Sequence, residues 1–320
     1  MIRIAQSLLV SLMLTAGVMA AAAADFPSKP VHLIVPFPPG GTIDVVARLT
    51  GAKLRENWRQ PIIIENRVGA NGAIAVDYVA KNAPDGHTLL FHSSLMVATQ
   101  QLQRTPYDVT RDLVVAAQTA TINFALAASP KSGVSTLNEL IELAKKNPGR
   151  LNYSSGGNGS GTHLYAELLK RAANINLTHV PYKGDAPAVQ AVVSGEVDLL
   201  FTTTGNLMPH VKSGKVRPLL VTGTKPLEGL PNVPAMDIVY PGVGIDAWHG
   251  MFAPAATPKA ILDQIAADVR TAVLSPDLSN RFREMGFEST GLATERATAI
   301  MRRDFDRWGQ IIRENNIRAD

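Results

Sequence analysis

Short runs of aliphatic and β-branched residues alternate with helical periodicity along almost the whole chain. That alternation is the pattern of an α/β fold and excludes helix bundles and all-β sandwiches. Val31–Phe37 is predicted as a strand, Asp44–Asn57 as a helix, Ile62–Glu65 as a strand, Gly72–Asn82 as a helix and Thr88–His92 as a third strand. Ile122–Ala128 is the next predicted strand. Leu137, Leu140, Ile141 and Ala144 then fall on one helix face, with Thr136 and Glu139 as a capping box and Pro148-Gly149 as the stop. Leu151–Ser154 and Thr178–Val180 are predicted strands on either side of a helix from Thr162 to Ala173. Val189, Val192 and Val193 mark another helix, and Val197–Phe201 and Val216–Thr222 two more strands. Pro226 to Gly244 is rich in proline and glycine and reads as irregular. Trp248–Ala253 is a late strand and Pro258–Leu274 a helix. Ala297, Met301, Phe305, Trp308 and Ile312 line one side of a C-terminal helix.

A chain of 320 residues is long for a single core, so two domains are expected. Hydrophobic residues at 46% against 18% charged exclude a disordered chain, and the absence of cysteine excludes disulfide scaffolds, thiol catalysis and Cys-ligated metals. The 31 basic and 27 acidic residues form no long basic run, which argues against nucleic-acid binding. Met1 to Ala24 has a positive start at Arg3, an apolar stretch from Leu8 to Ala20 and small residues at Ala22-Ala23-Ala24. This is the pattern of a secretory signal peptide cleaved before Asp25, and it predicts an exported, periplasmic protein.

Three strand-to-helix turns are candidate ligand loops, because ligands of open α/β sheets gather at the C-terminal ends of strands. The first is Pro36 to Asp44, PFPPGGTID, in which Gly40 and Gly41 are expected to free the backbone and Thr42 to cap the helix. The second is Ser154 to His163, SSGGNGSGTH, with four glycines and several hydroxyls before a helix. The third is His92-Ser93-Ser94. Exposed N–H groups at such helix starts make anion sites. Glycine-rich turns also serve only to turn the chain, and neither glycine-rich loop has a nucleotide-binding spacing. Catalytic patterns are weak. Ser160 is not in a G-x-S-x-G elbow, His163 and Glu167 share a helix face without a third metal ligand, and Trp248 and His249 could line a cleft but read more readily as core. Asp44 either orients the first loop or complements the helix dipole.

The motifs PFPPGGTIDVVARL, IIIENRVGANGAIAVDYVAKNAPDGHTLL, LNYSSGGNGSGTHL, HVPYKGDAPAVQAVVSGEVDLLF and WHGMFAPAATP follow one another in this order. In this the chain resembles the solute-binding receptors of tripartite tricarboxylate transporters, the Bug or TctC proteins, over essentially everything after the signal. The resemblance implies a type II periplasmic binding protein fold, with two α/β lobes and a ligand cleft between them. Lobe one would comprise 25–120 plus 230–320 and lobe two 121–229, with crossovers near Gln118–Phe124 and Trp248–Phe252. It also implies a monomer without cofactor or catalysis, which binds a small carboxylate and delivers it to membrane permease subunits. A receptor presenting its ligand to a membrane kinase has the same fold, and a hydrolase needs a nucleophile–base pair that cannot be assembled. By motif position the expected ligand-binding residues are Phe37, Gly40, Gly41, Thr42, Ser93, Ser94, Ser155, Gly159, Thr162, His163, Thr202 and Thr203. Thr202-Thr203 stands where the family commonly has Asp-Asn, so an acid expected in the cleft is missing from that strand.

Overall fold

The structure, a computed structural model, describes residues 26–314 and 317–318. The proposed signal peptide lies outside the described residues. The chain begins β1 (Val31–Val35), α1 (Thr42–Trp58), β2 (Ile62–Asn66), a short 3₁₀ turn at Ala70–Gly72, α2 (Ala73–Ala80), β3 (Thr88–Ser93), α3 (Met96–Leu102), α4 (Val109–Asp112) and β4 (Leu113–Ile122). It continues through β5 (Phe124–Ala128), α5 (Leu137–Lys146), β6 (Asn152–Ser155), α6 (Gly161–Ala173), β7 (Thr178–Pro181), α7 (Asp185–Ser194), β8 (Leu199–Thr203), α8 (Thr204–Lys212) and β9 (Arg217–Val221). It closes with α9 (Met236–Val239), β10 (Ala247–Pro254), α10 (Lys259–Val273), α11 (Pro276–Glu284), β11 (Glu288–Ala293) and α12 (Thr294–Glu314).

These strands form two sheets, one in the order β11-β4-β10-β3-β1-β2 and the other β7-β6-β8-β5-β9. Each sheet is the centre of one lobe. β1 pairs in parallel with both β2 and β3, while β10 runs antiparallel to β3 and β4. In the second sheet β6 is parallel to β7 and β8, and β5 is antiparallel to β8 and β9.

The segment expected as one strand from Ile122 divides at Asn123. Residues before it pair in the first sheet and residues after it in the second, so one crossover is a single residue long. The return path runs through residues 222–246, before Trp248–Phe252, which lie inside β10, paired with β3 and β4. Leu230, Val233 and Ala235 of that return segment pack into the second lobe's core.

The capping box acts as expected at α5. The Thr136 side chain accepts from the Glu139 N–H, and the Glu139 carboxylate accepts from Ser135 N–H at 2.8 Å, one residue earlier than the usual reciprocal bond. On α12 Ala297, Met301, Trp308 and Ile312 are buried, as their spacing predicts.

Candidate functional site

Between the two sheets lies a cleft that encloses about 890 Å³ of non-protein space, its open mouth included. Its wall is built largely from helix starts. Gly41, Thr42 and Ile43 begin α1, Ser160, Gly161 and Thr162 begin α6, Gly184, Asp185 and Ala186 begin α7, and Thr203 precedes α8; all of them line the cleft. The first N–H groups of a helix have no acceptor within it and carry the positive end of the macrodipole. Some of these donors are already committed: Thr204 N–H donates to Asn123 O at 2.9 Å, Gly184 N–H to Gly156 O at 3.2 Å and His163 N–H to Ser160 Oγ at 3.3 Å.

The first loop is held from beneath. Asp44 is 2% exposed, and its carboxylate accepts from Gly40 N–H at 3.0 Å, Arg48 Nε at 2.9 Å and Asn66 Nδ2 at 2.9 Å. Asn66 Nδ2 also donates to Phe37 O at 2.8 Å. Asp44 therefore orients the loop. Its burial alone would raise its pKa, but the bonds from Arg48, Gly40 and Asn66 outweigh this and hold it below the ordinary value. The stability it contributes is thus complete above the unfolded carboxylate's pKa near 3.8 and is lost as pH falls below that through the folded value. Asp44→Ala should cost about 2–3 kcal/mol at pH 7. In urea unfolding its deficit should be constant from pH 5 to 8 and shrink below pH 4.

Two expectations for this loop are corrected. Gly40 has φ +86°, but Gly41 has φ −73° and ψ 163°, ordinary extended backbone, so no left-handed conformation is required at Gly41. Thr42 is the first residue of α1, not its cap; Gly41 occupies the cap position without a side-chain bond. The Thr42 hydroxyl instead meets the Thr203 hydroxyl at 2.5 Å, both residues buried, and this bond joins the lobes across the cleft. A second bridge runs from Asn71 Nδ2 to Asn158 O at 2.6 Å.

The second loop folds on its own side chains. Ser160 caps α6 by accepting from His163 N–H, Thr162 Oγ1 accepts from Gly156 N–H at 2.8 Å, and His163 Nδ1 accepts from Gly159 N–H at 3.0 Å. His163 is 1% exposed and stacks on His179 at 4.3 Å.

Of the twelve residues expected from motif position, Phe37, Gly41, Thr42, Ser93, Thr162 and Thr203 line the cleft. The other six do not line it. Gly40 is tied to Asp44, and Ser94 binds Trp248 N–H through Oγ at 3.2 Å. Ser155 Oγ lies 2.6 Å from His179 Nε2, Gly159 and His163 hold each other, and Thr202 Oγ1 accepts from Asn206 Nδ2 at 3.3 Å.

Other lining residues were not among them. His92 and His249 line the cleft although their ring nitrogens are buried, and burial pushes both down to about 3, so they are neutral. Lys183, Gly184 and Asp185 come from the turn between β7 and α7. That turn is a strand-to-helix junction of the same kind as the two glycine-rich ones, a feature visible in the sequence. Lys183 is exposed and makes no ion pair among the described residues. Asp185 is partly buried, and its desolvation raises it to about 6.

A carboxyl whose folded pKa lies above its unfolded one withdraws stability as pH rises between the two values, here from about 4 to about 6. Asp185→Asn should therefore stabilise the ligand-free protein by up to about 3 kcal/mol at pH 8 and by little at pH 4. Thermal unfolding at the two pH values checks the sign.

Two α/β lobes around a cleft lined by helix starts define a solute-binding protein of the periplasmic type II class. A family model described as the tripartite tricarboxylate transporter family receptor matches residues 46–317, and the chain belongs to that family. Protein BugT of Bordetella pertussis is 32% identical over 305 residues, 94% of each chain. The solved structure of Rhodopseudomonas palustris Rpa4515 with adipate superposes with a TM-score of 0.86 at 31% identity, covering 92% of this chain and 99% of that one. MatC from the same organism, with bound malate, gives 0.82 at 30% identity, covering 90% and 100%. The family and the fold are those of solute-binding receptors, not enzymes.

Proposed function

We propose that the protein captures a small organic carboxylate between its lobes and delivers it to the membrane permease subunits of a tripartite tricarboxylate-type transporter. The observation that carries this reading is the convergence of the α1, α6 and α7 starts on one cleft, where aligned N–H groups favour an anion. The adipate and malate in the two similar structures support the ligand class. Receptors of this family work in the periplasm, and we assign residues 1–24 as the cleaved signal that takes the chain there as a monomer. We divide the lobes at Asn123 and, on the return, between Ala235 and Ala247, since Ala235 still packs with the second lobe.

Thr162 tests the anchoring. It is 2% exposed and accepts the Gly156 N–H beside the start of α6. Thr162→Ala leaves that donor without its acceptor, at a cost of about 1–3 kcal/mol, and should weaken carboxylate binding roughly tenfold in calorimetric titration. Lys212→Ala, on the exposed end of α8, should leave affinity unchanged. Weaker binding in Lys212→Ala but not in Thr162→Ala would require a side-chain salt bridge in place of the helix starts.

A further inference from the structure

We propose that Asp185 selects the ligand: it takes a hydrogen-bond donor, an ammonium or hydroxyl group, carried by the acid close to its carboxylate. The inference rests on the carboxylate-receptor reading above and narrows its substrate class. Asp185 is an acid in a wall otherwise suited to anions. It lines the cleft as the first residue of α7. Its Oδ2 receives a long bond from Asn206 Nδ2 at 3.3 Å, and its Oδ1 has no hydrogen bond among the described residues. Among the described residues no lysine or arginine pairs with it, and Lys183, two residues earlier, lies beyond ion-pair distance.

The unpartnered oxygen lies beside the anchoring loop. A Cβ placed on Gly156 would sit 2.5 Å from Asp185 Oδ1 and 3.5 Å from Thr162 Oγ1, so the carboxylate and the start of α6 flank the same glycine. An acid anchored at that helix start has its neighbouring carbon within reach of Asp185. If that carbon bears only hydrogen, two like charges share a small cleft with nothing between them, and binding is weakened. With an ammonium or hydroxyl on it, the donor meets Oδ1 and the repulsion is offset by a charge-assisted hydrogen bond. Burial of the acid raises it to about 6, so at neutral pH it is ionised and able to accept.

The experiment is calorimetric titration at pH 7.5 with two matched sets: succinate, malate and aspartate, and adipate, 2-hydroxyadipate and 2-aminoadipate. Within at least one set, the wild-type protein should bind the hydroxy or amino acid at least about tenfold more tightly than the plain diacid, the amino and hydroxy arms showing which donor is used. In Asp185→Ala and Asp185→Asn that preference should fall below about threefold, while plain diacids bind as well as before or better. If wild type binds a plain diacid as tightly as its substituted partners, the assignment is overturned whatever the variants do. It is equally overturned if the preference survives in both variants. If no member of either set binds, it is the carboxylate-receptor reading itself that fails.

Discussion

Gly157→Val should abolish ligand binding while leaving the protein folded, with affinity reduced by at least about a hundredfold. Gly157 has φ +126°, where a β-branched residue is excluded, and a Cβ there would lie 3.1 Å from Tyr182 O, a backbone atom that cannot turn aside. The backbone must therefore move. The movement would be felt at once by Ser160, whose N–H donates to Gly157 O at 3.1 Å, and by Ser155, whose Oγ accepts from Gly157 N–H at 3.1 Å. Both bonds shape the turn that delivers α6 to the cleft. Gly133→Ala is the matched control. Gly133 has φ +76° with nothing within 4 Å of an added Cβ, and it does not line the cleft. It should cost about 1 kcal/mol of stability and no affinity. Equal losses of affinity in the two variants would mean that general destabilisation, and not the shape of the loop, governs binding.

Trp308→Ala should give the largest loss of stability, about 3–5 kcal/mol in urea unfolding. Trp308 is 1% exposed on α12 and meets the Tyr165 ring edge-on at 5.6 Å. Tyr165 is fully buried on α6 and donates to Ile245 O at 2.8 Å. The last helix of the chain is thus packed against the helix whose start enters the cleft, and truncation leaves a cavity between them. Trp308→Phe fills most of that space and should lose less than half as much. A loss under 1 kcal/mol for Trp308→Ala would show that α12 is not part of this core.

Much of this architecture is legible in the sequence where local chemistry decides it. Thr136 and Glu139 mark the start of α5 because capping is a contact between near neighbours. The apolar side of α12 is visible because one face is covered and the other wet. β4 escapes this kind of reading. Its ten residues are rich in alanine and almost all buried, so no alternation shows, and its sequence resembles the inside of a helix as much as a strand. β11 escapes for a different reason: it is a short, largely part-buried edge strand of mostly small residues.

At the cleft, the glycine-rich loops announce themselves by composition, but the conformation of each glycine does not. Gly41 and Gly157 look alike in sequence, yet Gly41 has φ −73° and Gly157 φ +126°. The contacts that join the lobes are less legible still. Thr42 and Thr203 are 161 residues apart, and only the fold brings their hydroxyls together. Asp185 and Lys183 sit in a quoted motif whose turn resembles the other two. Nothing local says that Asp185 would stand beside Gly156 with no cation paired to it among the described residues.

We propose that the cleft recognises the negative charge of a carboxylate through helix starts. The most direct measurement is thermal stability of the protein with a panel of mono-, di-, hydroxy and amino acids, each set beside its neutral amide at equal concentration. An acid present at about 100 times its dissociation constant adds about 2.7 kcal/mol. At least one acid should shift the transition by that amount, and its amide should not. An amide that stabilises as well as its acid, or a panel in which no acid stabilises at all, would contradict it.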